Sequence, residues 1–477
     1  MKPFIRGANP YMPLWEHVPD GEPRVFEHNG ETRVYVYGSH DIEKTGFCGK
    51  NYVVWSAPVN DLTDWKCHGV AYETHYDSIL YAPDVVKKGD IYYMYAAEHR
   101  GSMIVVASAK TPWGPFENPV ETKLGFDPGV LVDDDGRIYA YWGSVSTTCF
   151  IAELEDDMAT IKDGTLITSP MGHSIVPWRP TEDNGHINLL DGFFEASSPR
   201  KVMGKYVYIF SRCYDKPVPE LGVYKSCNGF LSYKFADSPF GPFRDGGDIS
   251  FNGGEILHMA DGTGTMTYRW GNNHGSIIEI NGQWYVFYHR QTGVNEYARQ
   301  AMLEPIDVDM GKDGRLFIGN VRYLGGEPVS SGVVEMTSQG PHINGLDARK
   351  WISAGYACHI YGGKCRAYVR PVYEQKDDVS SPVVNITGGT TVGFRYLQFG
   401  ANSPRTVTVV LGKAAVCRVN VRLDNYRGRI ISTVDCGEDN AENTVKMNAG
   451  VIGKHAVYFE FMCDDDQTVT FDRFTFD

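Results

Sequence analysis

Apolar and polar positions alternate along the first two-thirds of the chain in short runs separated by turns. Arg33-Val-Tyr-Val-Tyr-Gly is followed by Asn51-Tyr-Val-Val-Trp-Ser, and Asp90-Ile-Tyr-Tyr-Met-Tyr-Ala-Ala by Met103-Ile-Val-Val-Ala-Ser. The pairing recurs at Arg137-Ile-Tyr-Ala-Tyr-Trp-Gly with Cys149-Phe-Ile-Ala-Glu-Leu, at Lys205–Phe210 with Phe230-Leu-Ser-Tyr-Lys-Phe-Ala, and at Gln283-Trp-Tyr-Val-Phe-Tyr-His. Runs of this length, rich in aromatic and β-branched residues, read as strands. No segment sustains a helical period. Five rounds at intervals of 45–80 residues predict an all-β fold, with a five-bladed β-propeller over residues 1–325. Thr-Pro-Trp-Gly-Pro-Phe (111–116) and Ser-Pro-Phe-Gly-Pro-Phe (238–243) are near-copies that each follow the second strand of their round, as an internal repeat requires.

Near residue 325 the rhythm stops. Gly325-Gly-Glu-Pro and Ser330-Ser-Gly predict a linker over 326–347 that crosses the surface. From 348 to 477 the runs lengthen and alternate more strictly, as in Arg405-Thr-Val-Thr-Val-Val-Leu, Ala415-Val-Cys-Arg-Val-Asn-Val-Arg-Leu and His455-Ala-Val-Tyr-Phe-Glu-Phe. One apolar face per strand predicts a jelly-roll-like β-sandwich.

A chain of 477 residues exceeds what one ordinary core holds, consistent with two domains. The net charge of −14 argues against nucleic acid and anionic membranes as partners. Residues 1–23 carry five prolines and read as an extended lead-in with no apolar leader region, and no run of 18 apolar residues is present to span a membrane. The ten cysteines show neither CxxC nor metal-ligand spacing. These features predict a cytoplasmic protein with free thiols; a leader removed beforehand would make it a secreted one.

A propeller gathers the first strand of each blade around a central channel, so acids just ahead of those strands converge. The candidates are Asp20 and Glu22, Asp84, Asp127 and Glu195, with His274 in the fifth round. Any one of them has an ordinary role in capping a turn, and an isolated Glu is most often solvated. Glu195 stands out because it lies between Phe193-Phe194 and a Ser-Ser-Pro turn. Poor solvation raises a carboxyl pKa, which a general acid near neutral pH requires.

The ordered motifs EPRVF, YAPDVV, FDPGVLVDDDGRIYAYWG, FFEASSPRKVMGKYVYIFS, NNHGSIIEINGQWYVFYHR and YARQAMLEPIDVD, over about residues 8–325, resemble glycoside hydrolase family 43. GKHAVYFEF and the closing Phe-Asp-Arg-Phe-Thr-Phe resemble carbohydrate-binding module family 6. The first resemblance implies Glu195 as general acid and Asp84 as the carboxylate that orients it and adjusts its pKa. Alignment through Pro23 places Glu22 at the general base, with Asp20 as rival. The family inverts configuration, which calls for acid and base carboxyls roughly 6.5–9.5 Å apart. His274 matches an axial histidine associated with a structural calcium ion; no cofactor is required for catalysis. Arg299 matches an arginine that points into the sugar pocket. Asp127 imitates the family's Asp-Pro base motif, and its context assigns it a structural role open to a sugar contact. Among Trp15, Trp55, Phe194 and Trp270, Phe194 is the choice for stacking on a sugar ring.

The implied function is an inverting exo-glycosidase that removes terminal α-L-arabinofuranosyl or β-D-xylosyl units from plant cell-wall oligosaccharides or polysaccharides. An exo-β-galactosidase or galactofuranosidase, or an endo-arabinanase, is the alternative on the same fold. A non-catalytic glycan-binding propeller is the alternative of another class, and it requires both Asp20 and Glu22 to point away from the channel.

Overall fold

The structure is a computed structural model. It describes residues 4–42, 46–144, 148–168, 192–214, 227–258, 264–292, 295, 297–373, 380–464 and 467–477. Five antiparallel sheets follow one another along the chain, spanning 22–73, 81–121, 129–168, 193–251 and 276–332. The first four have four strands each and the fifth has five, all in sequence order. This is the five-bladed propeller.

The innermost strand of each blade was not among the runs identified from hydrophobicity. Those strands are Glu22–His28, Tyr81–Lys88, Gly129–Val132, Phe193–Val202 and Ser276–Ile280. They line the axis and carry the motif carboxylates, so polar residues interrupt the apolar pattern that marks the outer strands. Neighbouring innermost strands pack against one another around the ring. The fourth meets the fifth through a 2.7 Å hydrogen bond between Ser198 Oγ and Ser276 Oγ, and Arg200 Nε donates to Ile277 O at 3.1 Å.

Both serines are fully buried. Ser276→Ala removes one hydroxyl from this closure and should cost about 1 kcal/mol in a denaturant titration, with turnover unchanged. Loss of turnover without loss of stability would move Ser276 from the scaffold to the site.

The near-copy turns occupy matching places in the folded chain. Each joins the third and fourth strands of its blade, one strand later than the hydrophobic pattern implied. Each also accepts a tyrosine hydroxyl from the preceding blade: Tyr37 donates to Pro112 O at 2.5 Å, and Tyr141 to Pro239 O at 2.6 Å. The repeat therefore extends to contacts between blades.

The segment expected to be a surface linker, 326–347, is largely packed. Glu327–Gly332 is the fifth strand of blade five, Met336 is buried, and Thr337 Oγ1 donates to the buried Glu304 at 2.7 Å. Gly and Ser in 325–332 suggested a loop, but backbone pairing to Leu316–Leu324 makes a strand of them.

The C-terminal part is a sandwich of two six-stranded sheets. Phe394, Phe459, Phe471 and Phe474 meet between them, with ring centroids 4.6–6.3 Å apart. Alternation places one apolar face of each strand inward, and the aromatic rings fill the gap. The propeller and sandwich share one continuous apolar core through blades four and five. Arg290 of blade five, fully buried, donates to Ala357 O at 2.7 Å and to Gly355 O, which fastens the two parts.

The expectation of free thiols fails at one pair. Cys417 and Cys463 lie opposite each other on paired strands, with Cα atoms 4.5 Å apart, and form a disulfide. No helix among the described residues is long and apolar enough to cross a membrane.

Candidate active site

One end of the channel opens into a cavity of about 170 Å3. Its polar lining is Asp20, Asp127, Glu195, Asn272, His274 and Arg299. Phe47, Tyr81 and Phe126 form the apolar wall, with Cys48 and Ala82 between. Asp20, Asp127 and His274 each sit two residues ahead of an innermost position, while Glu195 is itself on an innermost strand.

The backbone at this rim is unusual. Asp20 and Asp127 have φ values of 58° and 48°, and Ala196 and Ala298, beside Glu195 and Arg299, have 68° and 56°. Asp adopts the left-handed region with modest cost, whereas alanine does so less readily. Such conformations cluster where a scaffold aims side chains for function. At Glu195 the pairing with the next strand shifts register on both sides, so a bulge turns the carboxyl towards the cavity.

Two residues further in lies a second charged layer. Glu22 Oε2 accepts from Arg200 Nη2 at 2.5 Å and from Ser198 Oγ at 3.2 Å. Asp84 is held by Arg24, whose Nε and Nη2 donate at 3.1 and 2.6 Å, and by the backbone N–H groups of Val130 and Val85 at 2.8 and 2.7 Å. Neither Glu22 nor Asp84 lines the cavity. Their expected placement as base and modulator is therefore corrected: both belong to buried ion pairs that stitch the innermost strands together. Asp20 lies ahead of the strand that begins at Glu22, with φ of 58°, and lines the cavity, while Glu22 and Arg24, two apart on the strand, share one face below it.

Asp20 and Asp127 occupy the layer that lines the cavity instead. Asp20 Oδ1 accepts from Arg299 Nη1 at 2.7 Å, and its Oδ2 accepts from Ser39 Oγ at 2.6 Å. Burial pushes the Asp20 carboxyl up, but Arg299, then His274 and His289, then the Ser39 bond, pull it down to about 2. It is an anion throughout the physiological range. Asp127 Oδ2 accepts from the Ala196 N–H at 3.1 Å, directly beside Glu195. Burial, then the charges of Glu195 and Asp20, hold the Asp127 carboxyl well above the usual range. Three carboxyls around one small cavity cannot all ionise, and Asp20 is the one fixed as an anion.

His274 lies between the two aspartates, its Nδ1 3.9 Å from Asp20 Oδ1 and 3.6 Å from Asp127 Oδ2. Burial lowers its pKa to about 4, so it is neutral. A calcium ion takes 6–8 oxygen ligands. Among the described residues no cluster of three or more His, Cys, Asp or Glu side chains suits a metal. None of the chemistry below uses a metal.

Arg299 is where the motif placed it, on the cavity wall. It is locked by Asp41, which accepts from Nε and Nη2 at 3.0 Å each, and its guanidinium stacks over Phe47 at 5.0 Å. His289 accepts from the Asp20 N–H at 3.2 Å and faces Asn272 O through Nε2 at 2.7 Å. Asn272 Nδ2 in turn donates to Glu195 Oε1 at 3.4 Å. Phe194 does not line the cavity, and Phe193 packs in the core. Trp15 and Trp55 pack together in the propeller core, and Trp270 lines a separate cleft. Asp41, Asn272 and the Phe47–Tyr81–Phe126 wall were not anticipated. Tyr81 and Phe126 open the YAPD and FDP motifs, and Asn272 immediately precedes the NHGS run, so membership of or adjacency to a motif was their only signal.

The sequence profile of glycosyl hydrolases family 43 matches residues 20–314. A xylosidase/arabinosidase of Thermoclostridium stercorarium is 30% identical over 498 residues, covering 95% of each chain. The chain belongs to glycosyl hydrolase family 43. It is thus a glycoside hydrolase, and a binding-only propeller is set aside, consistent with Asp20 facing the cavity. An arabinoxylan arabinofuranohydrolase of Bacillus subtilis (strain 168) is 26% identical over 508 residues, covering 94% of this chain and 88% of that one. A family 43 arabinoxylan arabinofuranohydrolase structure from Bacillus subtilis, in complex with cellotetraose, aligns over 98% of this chain and 97% of its own, at 21% identity and a TM-score of 0.48.

Proposed function

We propose that this family 43 enzyme removes single terminal α-L-arabinofuranosyl or β-D-xylosyl units from plant cell-wall oligosaccharides, with inversion. The observation that carries this reading is the meeting of Asp20, Asp127 and Glu195 around one cavity of about 170 Å3. Pockets for drug-sized ligands run to 300–1,000 Å3, so this one suits a single ring and exo action. The names of the relatives support the choice of sugars.

The roles follow from the electrostatics. Asp20, held as an anion by Arg299, serves as general base and takes a proton from water as it attacks the anomeric carbon. Glu195, held by Asn272, serves as general acid and protonates the departing glycosidic oxygen. Asp127 is a positioning residue: its carboxyl, against the Ala196 N–H, keeps a proton within the Asp127–Glu195 pair. Arg299 fixes Asp20, while Tyr81, Phe126 and Phe47 exclude water around the ring. The sandwich we read as a module of the carbohydrate-binding family 6 type, supported by its two packed sheets.

Incubation with arabinosyl- and xylosyl-terminated oligosaccharides should release the monosaccharide alone. Proton NMR during the first turnovers should show the anomer opposite to that of the substrate bond. A first product with retained configuration, or oligosaccharide products from within the chain, would overturn this reading.

A further inference from the structure

A second cleft, of about 640 Å3, lies between the propeller and the sandwich. One wall is the segment Thr265–Trp270 that leads into blade five, and the other is the sandwich loop Ile360–Val369. Among the described residues the lining contains three cations, Arg269, Lys364 and Arg366, and no Asp or Glu. Four aromatic residues, Tyr268, Trp270, Tyr361 and Tyr368, complete it.

The cleft is built rather than loose. Gly362 and Gly363 both have φ of 78°, and a Cβ on either would lie 2.4 Å from Gly389 O or 2.3 Å from Thr390 Oγ1. Only glycine fits that turn, which presents Lys364 and Arg366. Thr387 Oγ1 accepts from the N–H groups of Lys364 and Cys365 at 2.9 and 3.3 Å. The Ile360 N–H donates across the junction to Thr267 O at 2.5 Å. Arg290 fastens the same junction and stacks 5.5 Å over Tyr268. Among the described residues no carboxylate pairs with the Arg366 guanidinium; the nearby Glu255 is committed to Arg395 at 2.6 Å.

The cleft also adjoins the catalytic cavity. Gln291 lines the cleft and donates to Asn272 O at 3.2 Å, and Asn272 lines the cavity and holds Glu195. Gly271 permits this close wall, because a Cβ there would lie 2.0 Å from Gln291 Nε2.

We propose that this cleft is a binding site for a carboxylated sugar, a uronic acid residue carried by the same glycan whose terminal pentose enters the catalytic cavity. Aromatic faces suit sugar rings, and the Arg366 fork suits a carboxylate bidentately. The proposal rests on the glycosidase reading above, since it takes the ligand to be the substrate's own backbone.

The test uses the full-length Glu195→Gln protein, so that ligands stay intact. Its affinity for a xylo-oligosaccharide bearing one glucuronic acid is compared with that for the neutral oligosaccharide of equal length, by calorimetry. The acidic ligand should bind about tenfold tighter, with a preference that falls as salt rises. Arg366→Gln should abolish the preference, and Trp270→Ala should weaken both ligands. Arg366→Gln in the otherwise wild-type enzyme should leave turnover of a 4-nitrophenyl pentoside unchanged, because that substrate ends at the cavity. Equal affinities, or a preference that survives Arg366→Gln, would overturn the proposal. Failure of the glycosidase reading looks different: no pentose release by wild type, whatever the cleft binds.

Discussion

Asp20→Asn is expected to lower kcat by roughly 10²–10⁴-fold, the usual contribution of a positioned general base. Glu22→Gln, two residues away, is expected to leave kcat close to wild type and to lower stability instead. The contrast follows from depth. Asp20 faces the cavity and is kept charged by Arg299 at 2.7 Å. Glu22 is buried one layer below against Arg200 at 2.5 Å, with no access to the sugar. Breaking a buried ion pair costs roughly 3–5 kcal/mol. The cost here should fall below that range, because burial, opposed by Arg200 and aided by Asp84, raises Glu22 to about 7, and glutamine keeps an oxygen for Arg200 and Ser198. Steady-state kinetics and urea unfolding on both variants separate the two roles. With the Asp20 carboxyl near 2, the kcat/KM of wild type should also show no acid limb from the base around pH 4–5. Full activity in Asp20→Asn with loss in Glu22→Gln would reverse the assignment.

Sequence patterning was informative about this fold where the apolar residues were, and misleading where they were not. The outer strands of each blade bury alternating aromatic and aliphatic side chains, so Tyr35, Tyr95, Tyr141, Tyr208 and Phe287 mark them. The innermost strands bury Glu22, Asp84, Arg200 and Ser276 in mutual hydrogen bonds, which hydrophobicity does not register. Motif alignment found the file of residues that lines the channel at blades one, three and four, but not the depth along it. Asp20 stands just ahead of the strand that Glu22 opens, and only the fold tells which of the two reaches the cavity. Asp127 was assigned mainly to the scaffold because its neighbours read as the start of a blade, and they do; the rim of the cavity is where the blade starts. Glu195 stands out in the sequence between an aromatic pair and a Ser-Ser-Pro turn, whereas Arg299 is marked only by its match to the family motif. Asp41 and Asn272 act through contacts with residues 258 and 77 positions away, and no local pattern encodes them.

The acid side of the reaction separates by leaving group. Glu195→Gln should cut release of pentose from a natural oligosaccharide by roughly 10²–10⁴-fold, because a sugar alkoxide needs a proton to depart. The same variant should retain much more of its activity on a 4-nitrophenyl glycoside, whose phenolate leaves without one. Asp127→Asn should behave differently. The Asp127 carboxyl sits beside Glu195, and burial together with the Glu195 and Asp20 charges holds it well above the carboxylate range, so the pair retains a proton jointly. Replacing that carboxyl by a neutral amide removes a like charge from beside Glu195, which then loses its proton more readily. The alkaline limb of kcat/KM should therefore move to lower pH, and the loss should grow as pH rises. Burial also matters for the form of the change: the asparagine carbonyl still accepts from the Ala196 N–H, so the bulge that aims Glu195 persists and Glu195→Gln-like collapse is not expected at acidic pH. A Glu195→Gln loss equal on both substrate types, or an alkaline limb unmoved by Asp127→Asn, would take the proton donor away from this pair.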